Sequence, residues 1–80
     1  MARELPQISG SRVVGLLEKL GYNVVHQRGS HVQMRKTTPQ GEHRITVPIH
    51  PVTAKGTLSD ILARVALWNG ICRDELLDQL

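Results

Sequence analysis

Tyr22-Asn23-Val24-Val25-His26-Gln27-Arg28-Gly29-Ser30-His31-Val32-Gln33-Met34-Arg35 has a period of two, broken once by a Gly-Ser pair. Before the break Tyr22, Val24 and His26 alternate with Asn23, Val25 and Gln27; after it Val32 and Met34 alternate with His31, Gln33 and Arg35. Successive side chains of a strand point to opposite faces, so the pattern predicts two strands meeting at Gly29-Ser30, the second with one apolar and one polar face. His31 belongs to the polar side. A histidine at a glycine-marked reversal among basic residues meets solvent and substrate together, which makes it the candidate reactive centre.

On the C-terminal side, Thr38-Pro39-Gln40-Gly41 puts Pro second and Gly fourth, as a type I turn prefers. Ile45 and Val47 then mark a third strand ended by Pro48, hairpinned to the second. Residues 50–55 read as a loop. Leu58, Ile61, Leu62, Val65 and Ala66 form the apolar stripe of a second helix, with Thr57 and Asp60 at capping-box spacing and the acid suited to the first turn. Asn69-Gly70 ends it, and residues 73–80 predict a short last helix with Asp74 and Glu75 in its first turn and Leu76, Leu77 and Leu80 turned inward. A helix this short must dock to persist.

On the N-terminal side, residues 1–7 read as a loose lead-in, and helical spacing starts at Ser9. Val13, Leu16, Leu17 and Leu20 share one face, Ile8 and Val13 stand at staple positions around a Ser9 N-cap, and Gly21 stops the helix as a C′ residue, with Tyr22 folding back on Leu17. Gly15 within this helix costs roughly 1 kcal/mol relative to Ala and reads as tolerated. The order helix, three strands, helix predicts an α+β fold: a small three-stranded antiparallel sheet with helices on one face, the other face open, and a C-terminal helical extension over residues 70–80. Residues 1–80 are expected to form a single domain.

Composition narrows the function. A chain of 80 residues buries only ~60 to 65% of its unfolded surface, so chemistry belongs on an open surface rather than in an enclosed cavity. Ten Lys and Arg against seven Asp and Glu, with a pI near 9.6, suit an anionic partner. With only Tyr22 and Trp68 as aromatics, single-stranded bases cannot be held on rows of stacked rings, which leaves backbone charge and shape. Cys72 stands alone, excluding an internal disulfide, and residues 1–6 lack a hydrophobic run, so neither signal peptide nor membrane span is expected and a reducing cytoplasm is the default.

Taken together, Leu16-Leu17-Glu18-Lys19-Leu20-Gly21-Tyr22, Gln27-Arg28-Gly29-Ser30-His31, Val47-Pro48-Ile49-His50 and Gly56-Thr57-Leu58 with Ile61-Leu62 resemble the HicA toxin family of HicA–HicB toxin–antitoxin pairs. The likeness runs from about Ile8 to Leu67, and the Gly-Ser-His element carries most of it. It implies a fold similar to double-stranded-RNA-binding domains, an mRNA-cleaving activity that arrests translation, a HicB-like antitoxin that covers the active surface, and a catalytic role for His31. Two departures stand out. Members commonly have a basic residue directly after Gly-Thr-Leu, where this chain has Ser59 and Asp60, and many open the last helix with Ser or Thr, where it has Cys72.

The chemistry of such a site follows from RNA itself, whose 2′-hydroxyl is an internal nucleophile. A protein need only move protons and hold charge on phosphorus, so neither metal nor small-molecule cofactor is required. An imidazole, with an ordinary pKa of about 6.5, exchanges protons near neutrality, and one positioned acid or base contributes ~10² to 10⁴-fold in rate. Arg28, Arg35, Lys36, Arg44 and Lys55 are the candidate phosphate contacts, with Gly29 and Ser30 shaping the turn. Whether His31 is base or acid stays open, and no second proton-transfer group is evident. His26 and His43 read as residues on the strand surfaces or packed partly against them, and His50 as a loop residue with a structural role or, as the alternative, an approach to the site. A metal site of His26, His31, His43 and His50 matches no ligand spacing. The alternative from another class is a non-catalytic double-stranded-RNA-binding module, and a third reading is an interaction protein that pairs through its open sheet.

Overall fold

Local sequence rules account for most of the element boundaries in the computed structural model, which describes residues 5–80; residues 1–4 of the expected lead-in lie outside it. The elements are α1 (Gly10–Lys19), β1 (Asn23–Arg28), β2 (His31–Thr38), β3 (Gly41–Pro48), α2 (Lys55–Asn69) and α3 (Arg73–Asp78). Ser9 caps α1, its hydroxyl accepting from the Arg12 N–H at 3.2 Å. At the other end the Tyr22 N–H donates to Leu17 O at 2.9 Å and the Gly21 N–H to Glu18 O at 3.0 Å, the paired bonds of a Schellman motif. No side chain crowds the space at Gly15, so that glycine is tolerated rather than needed.

The strands form one antiparallel sheet in the order β1-β2-β3. Val32 and Met34 of β2 and Ile45 and Val47 of β3 are buried, as are Val13, Leu16 and Leu17 of α1 and Leu58, Ile61, Leu62 and Val65 of α2. The α-β-β-β-α arrangement is therefore the expected one, with helices on one face and the other face open. The short helix α3 docks through Leu76 and Leu77, both buried, and packs against α2.

β1 departs from plain alternation. Every residue of it is exposed, Val24 by 47% and Val25 by 42%, because the helices make their main sheet contacts with β3 and leave this edge strand uncovered. Its register also slips: Val24 pairs with Met34, but His26 pairs with Gln33, so Val25 is a β-bulge. Had the register run on unbroken, His26 would have faced Val32 on the helix side. The bulge turns it onto the open face instead.

The start of α2 corrects the expected capping box. The helix begins at Lys55, its N-cap position is Ala54 with no side-chain bond, and Thr57 and Asp60 lie inside it. Burial of the Leu58 stripe fixes the helix register, and the Thr53 N–H, donating to Ile8 O at 2.7 Å, pins the chain just before it. Asp60 instead pairs with Arg64 one turn on, at 3.0 Å. Both groups are mostly exposed, so the pair adds little stability.

Of the two placements open to His43, the strand surface or packing against it, the structure takes the second and carries it further, to burial at 5% exposed. The imidazole stacks on Trp68 with ring centroids 4.9 Å apart. The Tyr22 hydroxyl accepts from Asn69 Nδ2 at 3.0 Å and shares a hydrogen bond of 2.6 Å with His43 Nδ1. Burial, aided by the Arg64 guanidinium, lowers the pKa of His43 below the ordinary histidine range. The unfolded chain then binds more protons below about pH 6.5, so the stability His43 supplies is present above that value and lost as pH falls through the folded pKa. We expect the urea midpoint to drop between about pH 7 and pH 5, and a His43→Gln variant, weaker at neutrality, to lose that slope. A wild-type midpoint flat over this window would contradict the buried neutral imidazole.

Candidate functional site

β1 and β2 meet at a two-residue turn, with Arg28 paired to His31 across it. Gly29 has φ of 58° while Ser30 keeps a negative φ, the pattern of a II′-type turn that needs glycine first. The Ile49 N–H donates to Ser30 O at 2.5 Å and so ties the turn to the end of β3. His31 thus stands on a strand braced on both sides, by Arg28 of β1 and Pro48 of β3, with its side chain exposed on the open face.

An open depression of about 610 Å³ lies there, lined by His26, Arg28, Gly29, Ser30 and His31, with Gln33 and Thr46. Four of the expected site residues therefore come together. Arg35 and Arg44 pair in register farther along the same face and share Glu42, at 3.2 and 3.1 Å. All three side chains are well exposed, so these ion pairs are worth ~0 to 1 kcal/mol and either guanidinium can exchange its carboxylate for a phosphate at little cost. Arg44, Gln33 and Thr46 also line a neighbouring depression of about 520 Å³ that reaches α2 at Asp60 and Arg64.

Two expected phosphate contacts are placed elsewhere. Lys36 lies on the helix-covered face, where its ammonium donates to Asn69 Oδ1 and sits 5.8 Å from the Tyr22 ring centre. The reason is its place on β2, in step with buried Val32 and Met34. Lys55 heads α2 in the helical layer and does not line the depression. His50 is an exposed loop residue whose carbonyl accepts from the Gly10 N–H at 2.9 Å, a structural use of its backbone. The four histidines are dispersed: His43 is in the core, His50 in the loop, and His26 and His31 on the open face. Among the described residues no group of three or more His, Cys, Asp or Glu converges. His26 is the residue that reading the sequence missed, because no local signal marks Val25 as a bulge.

The fold and site together define a small α+β domain that carries exposed imidazole and guanidinium groups on the uncovered face of its sheet. The family model described as HicA toxin of bacterial toxin-antitoxin matches residues 10–67. The chain belongs to the HicA toxin family, and its role is that of the toxin in a toxin–antitoxin pair. Neither the comparison with curated proteins nor that with solved structures gives a match. Among the described residues no helix is long and apolar enough to cross a membrane.

Proposed function

We propose that this toxin is a metal-independent mRNA endoribonuclease in which His31 moves a proton at the cleaved phosphodiester. The observation that carries this reading is His31 itself, exposed beside Arg28 in an open depression with no helix over it. A polynucleotide can lie across such a face, and guanidinium groups there oppose the charge that builds on phosphorus. Arg28, Arg35 and Arg44 are the cations best placed for phosphate, with Gly29 and Ser30 fixing the approach. Lys36 and Lys55 have structural or peripheral positions. The chain acts as one cytoplasmic domain, and a HicB-like antitoxin silences it by covering the same face.

Induction of this chain alone should arrest growth and shorten cellular mRNA, and the purified protein should cut RNA on a gel in the presence of EDTA. RNA that is bound but never shortened would favour the double-stranded-RNA-binding module instead, and cleavage lost in EDTA would return a metal to the mechanism.

A further inference from the structure

Cleavage through the 2′-hydroxyl needs two proton transfers, and the open face carries two imidazoles. His26 pairs with Gln33 and His31 with Arg28, so the histidines are diagonal neighbours across the β1-β2 pair. Such neighbours have Cα atoms roughly 7 to 8 Å apart, within mutual reach of a small ligand held between long or aromatic side chains. Both rings line the same depression. The arrangement depends on the Val25 bulge, since without it His26 would face the helices; bulges commonly re-aim a side chain beside a site.

We propose that His26 is the second proton-transfer group, acting with His31 as an acid–base pair. This rests on the nuclease reading above. The 2′-oxygen attacks phosphorus as its proton passes to one imidazole, and the P–O5′ bond breaks with its electron pair going to O5′. The other imidazole, starting as imidazolium, gives O5′ its proton. A 2′,3′-cyclic phosphate and a 5′-hydroxyl result, and exchange with water restores both rings. Attacking and leaving oxygens stand on opposite sides of phosphorus, which is why two groups set apart on one surface serve better than one.

The test uses an RNA that the wild-type protein cuts, and the same RNA with sulfur replacing the bridging 5′-oxygen at the mapped site. A thiolate leaves without being protonated, so losing the acid matters only for the oxygen substrate. His26→Ala, His26→Gln and His31→Ala should each slow cleavage of the oxygen RNA by ~10² to 10⁴-fold. On the sulfur RNA, substitution of only one of the two histidines should return to within about tenfold of wild type, identifying the acid. His26 is exposed on an edge strand, so both its variants should keep the wild-type circular dichroism spectrum. Wild-type rates for the His26 variants on the oxygen RNA would overturn the pair, as would sulfur rescue at neither position or at both. A wild-type protein that cuts no RNA would remove the nuclease reading, and this inference with it.

Discussion

Replacing His31 by alanine should abolish growth arrest while leaving the protein folded. Its side chain is exposed, its strand is held by backbone pairing on both sides, and its turn is tied to β3 through Ser30 and Ile49, so the substitution leaves the packing intact and, on the nuclease reading proposed above, removes only the proton transfer. Loss of one positioned proton-transfer group costs ~10² to 10⁴-fold in rate, about 3 to 5 kcal/mol in the barrier. Residual cleavage by the cationic face would fall too low to deplete mRNA. The measurement is growth after induction, together with circular dichroism of the purified variant. Persistent arrest by a folded His31→Ala protein would take His31 out of the mechanism.

Gly10→Ala should be the most damaging single-methyl change. A Cβ on Gly10 would stand 2.7 Å from Ile49 Cα and closer still to Pro48 O, and both are backbone atoms that cannot rotate away. The surrounding segment has little room to yield, since Gly10 donates to His50 O and Ile49 donates to Ser30 O. Overpacking of this kind costs about 1 to 3 kcal/mol, a large share of the ~4 to 12 kcal/mol that holds a chain of this size. Each kcal/mol lowers Tm by roughly 4 to 8 °C in so small a domain. The strain would also be passed through Ile49 to the turn bearing His31, so activity should fall before unfolding does. Gly15→Ala in the same helix is the control: it meets open space and should be neutral or stabilising by about 0.5 to 1 kcal/mol. Equal melting of the two variants would show that the close approach at Gly10 is not strained.

The placing of His31, Arg28, Gly29 and Ser30 together at a strand reversal was legible because a period of two and a glycine at a reversal are properties of neighbouring residues. The Ser9 cap and the Gly21 stop were legible for the same reason. The α2 start was not, because a Thr and an Asp at capping spacing bind only if the chain leaves the helix there, and the Thr53–Ile8 bond instead carries the helix farther back. Lys36 could have been set apart by counting along β2 from Val32, a signal that charge alone obscures.

By itself the sequence determined the order of elements, the apolar stripes that face one another, the side of the sheet on which His31 stands, and the likeness to the HicA family that residues 10–67 bear out. Tertiary structure alone decided that His26 joins His31, that His43 is buried against Tyr22 and Trp68, and that Gly10 meets the backbone at Pro48 and Ile49. The division is physical. Alternation and helical spacing act over a few residues, whereas a slipped strand register, a buried imidazole and a close backbone approach depend on which distant segments are pressed together when the core closes.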